Sequence, residues 1–203
     1  MSNKLNEGNY ELVLKYTIKN FQQSNIDQIL QMSNSTYNHD EKYFKIKFLN
    51  TFLKVQYPSG KILTESNEII IDTATNILIL RFLTNAKGIK ETKKYLTYKE
   101  IEGGYVYYPN FKSRTIKKLI DSYGKEIEKF KLHMENIGAE KLEIGDISYK
   151  VRFINDTYVV FVLWEGDEEL EPSGNILFDA NISYYFNAED LAVVPEIILL
   201  NLK

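Results

Sequence analysis

Two stretches of this chain constrain its fold more than any others. Tyr43–Phe48 and Thr51–Tyr57 each alternate apolar and polar residues in period two, with Leu49-Asn50 between them. Ile147–Phe153 and Thr157–Trp164 read as a second hairpin across Ile154–Asp156. Alternation of this kind across so short a connection reads as a β-hairpin, whose strands are antiparallel. Helical periodicity lies between and around the two hairpins. Tyr10, Val13, Leu14, Ile18 and Phe21 fall at helical spacing, and Asn25 can cap a short helix over Ile26–Met32. The polar stretch Ser33–Glu41 reads as loop, and Pro58-Ser59-Gly60 as a turn.

Ser66–Lys87 gives the strongest helical pattern, with Ile70, Ala74, Ile77, Leu78 and Phe82 recurring and Gly88 as its expected C-cap. Apolar on more than one side, this helix should run through a core. Thr97-Tyr98-Lys99-Glu100 has capping-box spacing. Gly103-Gly104 then breaks the chain, and Tyr105–Tyr108 reads as a strand ending at Pro109. Arg114–Tyr123 and Lys125–Ile137 read as helices stopped by Gly124 and Gly138, Ile176–Phe178 as a short strand, and Asn187 as the cap of a last helix to Leu202 that Pro195 kinks. Helices and hairpins mix without regular βαβ alternation. The expectation is an α+β fold, a single domain over 1–203 in which antiparallel hairpins pack against several helices, with 1–40 as a helical N-terminal extension. A chain of 203 residues should bury roughly 70% of its unfolded surface, which excludes wholesale disorder.

The 203 residues include no cysteine, so no thiolate nucleophile and no cysteine-bound iron–sulfur cluster belongs to this sequence. A reducing, cytoplasmic setting is expected, and no apolar run is long and unbroken enough for a membrane span. Net charge is −3, but residues 1–138 carry 21 basic and 15 acidic side chains, and residues 139–203 carry 4 and 13. Such asymmetry either steers a charged partner or is neutralised inside the protein where the two segments meet.

Two segments carry candidate chemistry. Trp164-Glu165-Gly166-Asp167-Glu168-Glu169-Leu170-Glu171 follows an apolar strand. If the chain stays extended, Glu165, Asp167, Glu169 and Glu171 share one face with neighbours roughly 7 Å apart. A hard divalent cation would relieve their repulsion, with Asp179 and Asp190 completing the site. The rival reading is a solvated acidic turn paired with lysines. The second segment, Lys87–Lys118, interleaves nine basic residues with tyrosines. Gly103 and Gly104 would let a ligand approach the backbone, with Tyr105, Tyr108, Phe111, Arg114 and the lone Trp164 as its contacts. A small anionic ligand or a protein partner fits this set. The absence of a P-loop or RNA-binding motif and a pI near 5.6 argue against nucleic acid. Here the rival reading is tyrosines packed at a core edge with lysines in water. Neither His39 nor His133 stands in a recognisable catalytic motif.

The order of these motifs carries a resemblance. Arg81-Phe82-Leu83-Thr84-Asn85-Ala86-Lys87-Gly88, the run from Leu96 to Gly104, Tyr108-Pro109-Asn110-Phe111 and Gly145-Asp146 come first. Then follow Leu163 to Glu169, Ile176-Leu177-Phe178-Asp179 and Ala188-Glu189-Asp190-Leu191. The series resembles the bacterial and archaeal family DUF3786, a domain of unknown function, and residues 41–203 would be its core. The resemblance implies no fixed activity. Some relatives are joined to a four-cysteine module like that of corrinoid iron–sulfur proteins, which implies a tie to anaerobic corrinoid or one-carbon metabolism. This chain lacks that module. It also departs at Leu170, where the family has phenylalanine followed by proline and Glu171 here intervenes before Pro172. Two functions follow as expectations: a cytoplasmic accessory domain that binds a ligand or partner, or a divalent-metal-dependent enzyme using the acidic cluster.

Overall fold

The computed structural model describes residues 2–202, with side chains from residue 9 onward. The described residues form two compact units, 2–89 with 184–186, and 90–183 with 187–202. The class is α+β, with all strands paired antiparallel in two sheets. Among the described residues no helix is long and apolar enough to cross a membrane.

The first unit begins with helices α1 (Ser2–Gln23) and α2 (Ile26–Ser33). Asn25 caps α2 as expected, its side chain accepting the Gln28 N–H at 3.0 Å. Strands β1 (Thr36–Asn38), β2 (Tyr43–Phe48), β3 (Thr51–Gln56) and β4 (Ile62–Thr64) form a sheet in sequence order. The β2–β3 hairpin turns at the expected Leu49-Asn50, where Leu49 takes a φ of +48°. Phe44, Ile46 and Phe48 point into the core, where Phe21 of α1 meets Phe44 edge-on at 5.8 Å.

Helix α3 (Thr73–Asn85) starts later than its periodicity predicts. Residues 62–64 already belong to the sheet, Ile69 bridges back to Leu63, and Asp72 caps the helix through the Thr75 N–H at 2.7 Å. Gly88 is not its cap. The helix ends at Asn85 with Ala86 as its C-cap, and the Gly88 N–H donates to Met32 O at 2.9 Å. The stretch read as loop, 33–41, contains β1, which local polarity masked. As expected of a core helix, α3 buries Ile77, Leu78, Ile79, Leu80, Phe82 and Leu83.

The second unit contains β5 (Tyr95–Thr97), α4 (Gly104–Phe111), α5 (Lys117–Tyr123), α6 (Ile127–Asn136), β6 (Glu140–Leu142), β7 (Ile147–Arg152), β8 (Tyr158–Trp164), β9 (Ser173–Asp179) and α7 (Ala188–Leu200). Its sheet runs β5-β9-β8-β7-β6. β5 and β6 went unread in the sequence because each has only three residues, too few to display a period.

Tyr105–Tyr108, expected as a strand, is helical. Four residues cannot distinguish period two from period 3.6, and the glycines decide the matter. Gly103 takes a φ of +78° and caps the helix, while a side chain on Gly104 would come within 1.9 Å of Tyr98 O. Pro109 sits inside α4, where it lacks the N–H that would bond Tyr105 O. A π-helical turn over Lys112–Ile116 follows before α5 resumes, in keeping with the disturbance a helical proline introduces.

Candidate functional site

The site is built where β8 runs out of partners. Trp164, 37% exposed, ends that strand, and its indole lies against Gly145, where a Cβ would come within 3.1 Å of the ring. The next N–H, of Glu165, donates to Asp146 Oδ2 at 2.8 Å, which fastens the following loop to the turn before β7. The loop then folds on itself. Asp167 Oδ1 accepts the N–H groups of Glu169 and Leu170, both at 2.8 Å, and the Asp167 N–H donates to Leu170 O at 2.9 Å. These backbone N–H bonds hold the exposed Asp167 carboxyl below the usual carboxylate range, so its negative charge is fixed.

The loop's compact turn faces the connection between α5 and α6, residues 124–128. Together they enclose an open cleft of about 620 Å³. Its charges come from Lys125, Glu126, Glu128, Glu165, Asp167 and Glu171, and its apolar surface includes Ile127, Leu170 and Pro172. Glu171 pairs with Lys125 at 3.4 Å, and Glu128 with Lys131 at 2.6 Å. Among the described residues Glu126, Glu165 and Asp167 make no ion pair. The cleft is therefore a negatively charged hollow with some apolar lining.

The extended acidic face expected for residues 165–171 does not form, because the chain turns at Asp167. The other expected carboxylates lie elsewhere. Asp179 ends β9, about 20 Å along the strand from Ser173 at a rise of about 3.3 Å per residue. It is fully buried and accepts the Thr92 N–H (3.0 Å), the Thr92 hydroxyl (2.8 Å), the Lys93 N–H (2.7 Å) and the Asn181 N–H (3.0 Å). Its role is to hold residues 92–93 to the sheet end. Asp190 lies in the first turn of α7, where its N–H is capped by Asn187 at 2.9 Å. Among the described residues no group of three or more His, Asp or Glu is arranged to hold a metal ion.

The second expected set divides as well. Gly103 and Gly104 shape the start of α4. Phe111 is fully buried and stacks on Tyr98 at 4.0 Å and 3°. Tyr108 lies under Lys99, whose Nζ is 4.2 Å from the ring centre, and Tyr105 is 75% exposed. Arg114 and Lys118 both reach Glu196 of α7, at 2.5 and 2.6 Å. Burial opposes the charge on Glu196, but the two cations outweigh it and keep the carboxyl below its ordinary pKa. Tyr107 donates to Glu189 at 2.7 Å. The acidic end does meet the basic middle: Asp179 bonds residues 92–93, and Glu189 and Glu196 of α7 bond Tyr107, Arg114 and Lys118. Neither Trp164 nor any residue of Gly103–Phe111 lines the cleft at residues 124–128 and 165–172.

Sequence reading missed the facing wall of the cleft. Gly124 was legible as a helix stop, and Glu126 and Glu128 beside it were a weak signal of charge. Their opposition to residues 165–172 comes from tertiary packing, in which Gly124 lies so close to Pro172 that a Cβ would meet it at 2.9 Å, and no local pattern carries that.

A family model described as a domain of unknown function, DUF3786, matches residues 25–200. No curated protein and no solved structure matches the chain.

Proposed function

The chain belongs to the DUF3786 family, and from that premise we propose that it is a binding module whose acid-lined cleft receives a positively charged segment of a partner protein. The observation that carries this reading is the lining of the cleft: five carboxylates and one lysine around an open hollow of about 620 Å³. Three of those carboxylates lack an ion pair, Glu165 feeling Lys131 only at longer range, and like charges lining one cleft repel. The charge therefore favours a cation over the small anion that the basic middle suggested. Apolar surface from Ile127, Leu170 and Pro172 suits the aliphatic stem of a lysine or arginine, which packs on apolar surface while its head meets a carboxylate.

Trp164, the one tryptophan of the chain, adjoins Glu165 of the cleft lining, so its emission is a probe beside the cleft. Titration with an arginine- and lysine-rich peptide should shift that emission and saturate, and calorimetry should return the same affinity. Replacing Glu126 and Glu165 with glutamine removes two charges without touching the Asp167 turn, and should weaken binding about tenfold, or about 1.4 kcal/mol. A peptide that leaves both the emission and the calorimetric signal flat would overturn the reading. So would an affinity that the double variant leaves unchanged.

A further inference from the structure

We propose that the outward face of the β1–β4 sheet binds single-stranded nucleic acid. The two central strands supply the surface. Along β2, Phe44, Ile46 and Phe48 are buried, so Tyr43, Lys45 and Lys47 point the other way. Along β3, Leu53 and Val55 are buried, so Phe52 and Lys54 join them. The register sets Lys45 directly opposite Lys54, and Lys47 opposite Phe52. This one face thus carries Lys45 and Lys54 between two rings and Lys47 beside the second, and Phe52 is 39% exposed.

Lys45 opposite Lys54 is a like-charge cross-strand pair, an arrangement that destabilises a sheet. Each lysine leans away from its opposite number. Lys45 Nζ lies 4.3 Å from the centre of the Phe52 ring, and Lys54 Nζ lies 5.4 Å from that of Tyr43. Their polar contacts are exposed ones: Lys45 with Glu65 at 3.3 Å, and Lys54 with Asn67 Oδ1 at 3.0 Å. Solvated contacts of this kind are weak and open to displacement by phosphate.

Charge complementarity and the rings together select the occupant. Tyr43 and Phe52 sit four residues apart along the strand direction, about 13 Å at a rise of about 3.3 Å per residue. Lysines fill the interval between them. A phosphodiester backbone would relieve the Lys45–Lys54 repulsion, and unpaired bases have faces to stack on the rings. An acidic peptide or an anionic membrane would satisfy the lysines and leave the rings unused. Whole-chain charge hides this surface, since the acidic residues concentrate beyond residue 138.

The test is fluorescence anisotropy of the full chain with labelled oligouridine and oligothymidine of about twelve nucleotides, within the range one such surface covers, over a salt series. Binding of either strand is expected, and the preferred one identifies the nucleic acid. Phe52→Leu keeps an apolar side chain without the ring and should weaken binding about tenfold. Lys45→Ala with Lys54→Ala should lower the magnitude of the salt slope by about one to two. Absence of binding at low salt would overturn the proposal, and so would binding that both variants leave unchanged. So too would equal affinity for heparin or polyglutamate in wild type and Phe52→Leu alike, since those polyanions have no bases to stack.

Discussion

Strands β2 and β8 lie in sheets of the same antiparallel kind and solve opposite problems. Along β2 buried and half-buried residues alternate, so one face is core and the other is surface. Along β8 every residue from Tyr158 to Leu163 is buried. A strand of the first kind displays chemistry along its length. A strand closed on both faces offers it only where pairing stops, and β8 does so at Trp164 and the loop beyond. The contrast places the two charged surfaces: lysines and rings across the flat of one sheet, carboxylates around the end of the other.

The contrast is sharpest in the energetic cost of truncation. Phe161→Ala, at a fully buried position of β8, should destabilise by about 3–5 kcal/mol. Phe52→Ala, on the open face of β3, should cost within about 1 kcal/mol. Chemical denaturation followed by circular dichroism measures both, and similar values would break the comparison. Asp179→Ala comes next. It leaves the N–H groups of Thr92 and Lys93 without their acceptor and should cost about 3 kcal/mol. Hydrogen exchange at those two amides should accelerate in the variant while the amides of β2 keep their protection.

Glu196 provides the pH arm. Its folded-state pKa lies below the ordinary 4.5. The stability it contributes is therefore complete above that value and is lost as pH falls through the lower folded value. Thermal melts of Glu196→Gln should show a shallower loss of stability below about pH 4.5 than wild type. An unchanged acid limb would mean that the Arg114 and Lys118 contacts add nothing. The smallest effect is at the like-charge pair: Lys54→Glu should stabilise the first unit by roughly 0.2–1 kcal/mol while weakening oligonucleotide binding.

Both hairpins were legible in the sequence: the first pairs period-two segments across a short turn, and the second joins two β-branched and aromatic segments across Ile154–Asp156. The caps at Asn25, Thr97 and Asn187 were legible because their chemistry is local: Glu100 accepts the Thr97 N–H at 2.7 Å, as the capping box requires. What escaped was set by tertiary context. Tyr105–Tyr108 looks like a strand until Gly104 is seen packed beneath Tyr98. Ser66–Asn67 looks helical until Ile69 is seen bridging to Leu63. The acidic run after Trp164 was legible as charge, but its turn depends on Asp167 bonding forward to Glu169 and Leu170. The resemblance to DUF3786 stood on the order of motifs, several of which serve the packing: Gly103-Gly104 shapes α4, Gly145 sits beneath Trp164, and Asp179 anchors residues 92–93.

The central claim is that two oppositely charged surfaces lie on different parts of the chain, an acidic cleft at residues 124–128 and 165–172 and a cationic sheet face at residues 43–54. Amide chemical-shift mapping of the full chain tests it most directly, with a basic peptide and an oligouridine added in separate titrations. The account predicts that the peptide perturbs the first set of amides and leaves the second still, and that the oligonucleotide does the reverse. Perturbations from both ligands converging on one set, or none from either, would contradict it.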